Sequence, residues 1–188
     1  MATIGAGVEA EVVARLRAAG LRLATAESTT GGLVGHRLAT VPGASAVLAG
    51  GITAYANEAK TRLLGVPAAL LAEHGAVSPE VAAAMARGAL AAFDVTFAIA
   101  ETGVAGPPAG GATASEAKPA GLYYLAAVGP GCELAERASF EGGRAETQWA
   151  ASEAVLRLAL VCLEGAMPAS IVAESGAPMT GAEGEQRG

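Results

Sequence analysis

Apolar positions along this chain alternate between a helical spacing and short continuous runs, and the switches between the two mark out its elements. Val8, Val12, Val13 and Leu16 share one face of a helix that ends at Gly20, and residues 21–26 then form a buried strand. A second helix is expected over about residues 32–40, broken by Pro42-Gly43. Residues 45–55 read as a strand, within which the Gly50-Gly51 pair implies a bulge or a close backbone approach. A helical piece carrying Glu58, Lys60, Leu63 and Leu64 stops at Gly65, and Pro67 opens another short helix. Ser78-Pro79-Glu80 supplies a cap, a proline at the first helical position and an acid in the first turn, so a helix should run from there to about Phe93.

The strand of residues 94–101 leads into a Gly-, Pro- and Ala-rich loop over residues 102–120. Loops beyond about 12–15 residues are uncommon in compact domains and are often functional. Gly129-Pro130-Gly131 joins residues 121–128 and 132–140 into a hairpin, and a long helix follows over about residues 143–163. Beyond Gly165 no apolar period is sustained, so the expected division is a domain over residues 1–164 and a flexible tail over 165–188. Three helix-linked strands followed by an antiparallel hairpin imply an α/β protein with a mixed sheet and helices on both faces.

Composition narrows the function more by exclusion. With 188 residues, 52% of them hydrophobic and 16% charged, the chain can bury one core of ordinary size. No apolar run reaches the roughly 18–20 residues of a membrane span, and the N-terminus lacks the basic flank and apolar stretch of a signal peptide, so a cytoplasmic protein is expected. A net charge of -6 without a basic cluster argues against a nucleic-acid partner. His36 and His74 belong to no ligand pattern, so neither a metal nor another cofactor is expected. Cys132 and Cys162 are expected to be buried and reduced, as is usual in the cytosol. Alanine-rich helical faces around residues 82–92 and 150–163 offer surfaces for self-association, with a dimer favoured.

Candidate chemistry concentrates where strands end. Thr25-Ala26-Glu27-Ser28-Thr29-Thr30-Gly31-Gly32 is a hydroxyl-rich turn between a strand and a helix, and such junctions expose a side chain beside unpaired N–H groups. Ser28 is the candidate nucleophile; the competing reading is that these hydroxyls only cap the helix. The chain has ten arginines but only two lysines, Lys60 and Lys118. A buried lysine can lose its proton and a guanidinium in practice cannot, so Lys60 is a candidate general base, whereas the plain reading of Lys118 is a solvated side chain. If the first two strands are parallel neighbours, Ser28, Tyr55 and Lys60 meet at one sheet edge, where open α/β sheets bind ligands. Thr102 and the glycine-rich stretch Gly103-Val104-Ala105-Gly106 should join them, and Arg144, at a helix start after Gly142-Gly143, is suited to a phosphate or is an ordinary surface charge.

Taken in order, Ala26-Glu27-Ser28-x-Thr30-Gly31-Gly32, Pro42-Gly43-Ala44-Ser45, Gly51-x-x-x-Tyr55-x-Asn57-Glu58-x-Lys60, Gly103-x-Ala105-Gly106-Pro107 and Lys118-Pro119-x-Gly121 resemble the CinA C-terminal domain family over about residues 8–164. The resemblance implies a three-layer α/β/α fold with a mixed five-stranded sheet, mostly parallel with an antiparallel hairpin. It also implies a small-molecule nucleotide substrate, nicotinamide mononucleotide, deamidated to nicotinate mononucleotide and ammonia in pyridine nucleotide salvage. In that scheme Ser28 is the nucleophile, Lys60 its base, and Tyr55 orients or relays the proton. N–H groups near Thr30, Gly31 and Gly32 serve as oxyanion donors, Thr102, Gly103, Ala105 and Gly106 bind the nucleotide, and Arg144 faces its phosphate. Many members carry a further N-terminal domain; about seven residues precede the first helix here, so that domain is expected to be absent. Thr29 stands where the family often has cysteine, Gly143 where it has aspartate and Gln148 where a second arginine is common. The alternative is a catalytically inactive nucleotide- or partner-binding protein of the same fold, related to competence or DNA damage.

Overall fold

The computed structural model describes residues 7–106 and 118–166. Most of the expected long loop and nearly all of the expected tail lie outside those residues. The first helix, α1 (Val8–Ala18), leads into β1 (Leu23–Glu27), α2 (Leu33–Ala39), a 3-10 turn (Ala44–Ala46) and β2 (Leu48–Thr53). Then come α3 (Asn57–Leu64), α4 (Ala68–His74), α5 (Pro79–Phe93), β3 (Phe97–Gly103), β4 (Leu122–Gly129), β5 (Cys132–Ser139) and α6 (Arg144–Ala166).

The strands form one sheet in the order β2-β1-β3-β4-β5. β1 pairs in parallel with β2 and β3, whereas β3 with β4 and β4 with β5 are antiparallel. The period-two alternation of strand side chains divides the core into two layers. Leu23, Phe97, Ile99, Tyr123 and Leu125 pack with the buried faces of α1, α2 and α6, while Ala24, Ala26, Ala98, Ala100 and Ala126 pack with α3 and α5. Large side chains fill one face, and alanines let α5 lie close on the other. The fold is thus a three-layer α/β/α sandwich around a mixed five-stranded sheet, as expected.

One local departure and one expected irregularity have physical causes. The second strand starts at Leu48 rather than residue 45 because Gly43, at φ 85°, turns the chain into the 3-10 turn first. The register slips between Leu23 and Ala24, which pair with Leu48 and Gly50, so Ala49 is the extra residue of a bulge. The glycine pair also provides a close approach, since a Cβ on Gly51 would lie 2.2 Å from Thr25 Oγ1.

The expectation of reduced cysteines is overturned. Cys132 at the start of β5 and Cys162 near the end of α6 form a disulfide, with their Cα atoms 5.7 Å apart. The two are 30 residues apart in sequence and meet because α6 packs back across the hairpin, a tertiary event that cysteine spacing does not encode. Among the described residues no helix is long and apolar enough to cross a membrane.

Candidate active site

The carboxyl ends of β1, β2 and β3 lie on one edge of the sheet, and the parallel pairing of the first two strands was the condition for bringing Ser28 to Lys60. Lys60 projects inward from the middle of α3, a helix stopped by Gly65 in the left-handed conformation. Its side chain is 1% exposed, and Nζ lies 2.8 Å from Ser28 Oγ, 2.8 Å from the Ala54 carbonyl oxygen and 3.3 Å from that of Tyr55. An ammonium would donate to all three; a neutral amine would donate its two hydrogens to the carbonyls and aim its lone pair at the Ser28 hydroxyl. Burial holds the Lys60 pKa below its ordinary value, against an opposing pull from the charge of Glu101.

Two buried carboxylates shape the turn carrying Ser28. Glu27, the last residue of β1, accepts from the N–H groups of Gly32 (2.9 Å), Val34 (3.0 Å) and Gly35 (2.8 Å) and from Thr30 Oγ1 (2.6 Å). It therefore satisfies the otherwise unpaired amides that open α2 and places a negative charge at the positive end of the helix. Glu101, from β3, accepts through Oε1 from the N–H of Ser28 (2.6 Å) and the N–H of Thr30 (3.0 Å), and the same oxygen lies 2.8 Å from Thr30 Oγ1, whose one hydrogen it shares with Glu27. Its Oε2 is buried without a hydrogen-bond partner. The side chain is 0% exposed, and burial raises its pKa to about 7.

A cleft of about 570 Å³ opens over this base, lined by Ser28, Thr29, Tyr55, Asn57, Lys60, Thr102 and Arg144 and by the backbone of Gly103 to Gly106. Thr29 Oγ1 donates to the Gly103 carbonyl (2.8 Å) and accepts from the Gly103 N–H (3.0 Å), tying the ends of β1 and β3 together. Thr147 Oγ1 donates to the Ala105 carbonyl (2.7 Å), which fastens the glycine-rich stretch to the first turn of α6. Arg144 opens that helix, exposed at the edge of the cleft. Lys118, rather than being merely solvated, donates to the carbonyls of His74 and Val77 and so anchors the turn between α4 and α5 against the far wall.

Of the residues expected at the site, Ser28, Lys60, Tyr55, Thr102, Gly103, Ala105, Gly106 and Arg144 converge on this cleft, whereas Thr30, Gly31 and Gly32 do not line it. The N–H groups of Thr30 and Gly32 are already committed to Glu101 and Glu27, which removes them as oxyanion donors. The hydroxyl of Tyr55 bonds to neither Ser28 nor Lys60. Its side chain is 62% exposed, and only its carbonyl reaches the lysine. Gln148 donates to the Thr29 carbonyl (2.7 Å) and thereby braces the turn. Sequence reasoning assigned no role to Glu101 or Glu27. The available signal was a carboxylate inside the otherwise apolar run of β3, since acids are almost never fully buried without partners.

Known proteins share this fold. The model of the CinA C-terminal domain matches residues 6–163. A CinA-like protein of Anaeromyxobacter dehalogenans is 52% identical over 153 residues, which is 79% of this chain and 36% of that protein. A CinA-like protein of Parasynechococcus marenigrum is 51% identical over 139 residues, 73% of this chain and 32% of that protein. The chain thus spans about a third of the length of these curated relatives. Among solved structures, a competence-damaged protein (CinA) superfamily protein from Escherichia coli superposes with a TM-score of 0.78 at 32% identity, covering 86% of this chain and 90% of that one. A competence/damage inducible protein from Agrobacterium tumefaciens gives a TM-score of 0.77 at 36% identity, covering 87% and 99%. The chain belongs to the CinA C-terminal domain family.

Proposed function

We propose that this protein is an amidohydrolase that deamidates nicotinamide mononucleotide to nicotinate mononucleotide and ammonia. The observation that carries the reading is the 2.8 Å approach of a buried Lys60 amine to Ser28 Oγ at the base of a cleft. A serine is a weak nucleophile until an adjacent base takes its proton, and a lysine whose pKa is lowered by burial is suited to be such a base.

In the proposed reaction Ser28 Oγ attacks the carboxamide carbon while its proton passes to Lys60 Nζ. The ammonium so formed stands beside the tetrahedral oxyanion and then returns the proton to the departing nitrogen, and the carbon–nitrogen bond breaks to release ammonia. The resulting ester on Ser28 is attacked by water, whose proton goes first to Lys60 and then to Ser28 Oγ as the carboxylate product leaves. Tyr55 contributes through its carbonyl, which helps fix the direction of the amine. The volume of the cleft is within the range of small-ligand sites, and Arg144 at its edge is placed to meet a phosphate.

Ammonia release from purified protein incubated with nicotinamide mononucleotide tests this reading. Ser28→Ala and Lys60→Ala should each lower the rate by on the order of 10³-fold or more with unchanged circular dichroism. Near-normal release by either variant removes the dyad. No release by the wild type favours binding without catalysis. Nicotinamide and its riboside, assayed alongside, report whether the phosphate contributes.

A further inference from the structure

Ser28 is held from two sides. Its hydroxyl faces Lys60 Nζ at 2.8 Å, and its backbone N–H donates to Glu101 Oε1 at 2.6 Å. Glu101 comes from a different strand, is buried, and leaves Oε2 without a hydrogen-bond partner. A carboxyl needed only to fasten the turn would gain most from using both oxygens, as Glu27 does beside it with four short contacts. Glu101 instead combines a half-used carboxyl with a basic partner one residue away through Ser28.

We propose that Glu101 is a positioning residue of this site: it sets the Ser28 turn through Oε1, and the charge it carries determines whether Lys60 stands as ammonium or as amine. The inference rests on the amidase reading for its consequence in catalysis, but the coupling of the two groups is a property of the free protein. Among the described residues, the titratable groups that act on Glu101 or feel its charge are Glu27 from β1, Lys60 from α3 and Tyr123 from β4. The turn before α2 presents the Thr30 amide to Glu101, and Arg37 of α2 pairs instead with Glu9 and Glu153. Burial and the neighbouring Glu27 raise the Glu101 pKa, whereas burial lowers that of Lys60. The two changes bring a carboxylic acid and an ammonium toward the same range, where a proton on one site alters the affinity of the other. With Glu101 protonated, the Lys60 ammonium loses its nearby negative charge and gives up its proton more readily.

Because the chain has only two lysines, the ε-carbon resonances of Lys60 and Lys118 can be followed separately by NMR as pH is varied. In Glu101→Gln, which keeps an acceptor oxygen for the turn and removes the charge, the Lys60 midpoint should move to lower pH. The acid limb of kcat/KM should follow in the same direction, and Glu101→Asp should restore both toward the wild type. A Lys60 midpoint that is unchanged in Glu101→Gln overturns the proposal, whatever the activity. If the wild type releases no ammonia yet the midpoint shifts, the coupling stands and the amidase reading falls. Should Glu101→Gln fail to fold, wild-type protein carrying labelled glutamate supplies the measurement. Glu101 and Lys60 must then titrate in linked steps, and two independent single-site curves overturn the proposal.

Discussion

At the scale of single residues the site is governed by what burial does to charge. Lys60 was legible in the sequence because the chain has ten arginines and only two lysines, and Ser28 was legible as a candidate nucleophile or a helix cap, since a hydroxyl in a glycine-ended strand-to-helix turn serves either. Glu101 was not legible as their partner: its neighbour across the sheet is fixed only when β3 docks beside β1. Its energetics are testable without any substrate. In the folded chain its carboxyl keeps its proton up to about pH 7, whereas in the unfolded chain it releases it near 4.5. Between those values the folded state binds the extra proton, so its contribution to stability is full at low pH and is lost as pH rises through 7. The loss should amount to about 3 kcal/mol. Glu101→Gln has no such loss, so urea unfolding at pH 4.5 and pH 8 should show the variant gaining by about that much relative to the wild type at the higher pH. A constant offset between the two pH values would mean that folding leaves the Glu101 pKa where it stands in the unfolded chain.

At the scale of elements, the turn works because α2 is held in place from outside. A helix of seven residues is too short to persist alone, and α2 has no side-chain cap at Gly32. The carboxylate of Glu27 takes over that role from the preceding strand through three N–H groups and the Thr30 hydroxyl. Hydroxyls in the sequence suggested self-capping. The structure instead commits Thr30 to the two glutamates and Thr29 to β3, and leaves Ser28 for Lys60. Periodicity located this helix to within a residue of its ends, because the pattern is local. It could not say which group would satisfy the helix start, because an acid at the end of a strand has no helical signature. Glu27→Ala should cost roughly 3–6 kcal/mol, since it strands three amides that are buried or half-buried. The midpoint of urea denaturation measures it, and a loss below about 1 kcal/mol would show that water replaces the carboxylate there.

At the scale of the whole molecule, the helical layer that supports the site is tied by a buried ion cluster. Arg37 of α2 pairs with Glu9 of α1 at 2.6 Å and with Glu153 of α6 at 2.6 Å, donates to Ser152 at 2.9 Å, and lies over the Trp149 ring at 4.6 Å. The apolar faces of these helices were readable from their spacing, but the cluster was not. Its members are 28 and 116 residues apart, and nothing in a one-dimensional pattern joins them. Burying ions is costly in itself, so the cluster is a poor source of net stability and a strong constraint on how the three helices seat. Removing one member should therefore be far worse than removing the pair. Arg37→Ala leaves the acid of Glu9 in the interior without its guanidinium and should cost about 3–5 kcal/mol, whereas Arg37→Met combined with Glu9→Leu should recover most of that loss. Thermal unfolding of the single and double variants decides the matter. Equal destabilisation by both would show that the ions contribute net stability, and the seating of α6, which carries Arg144 to the cleft and Gln148 to the Thr29 carbonyl, would then depend on attraction rather than on shape.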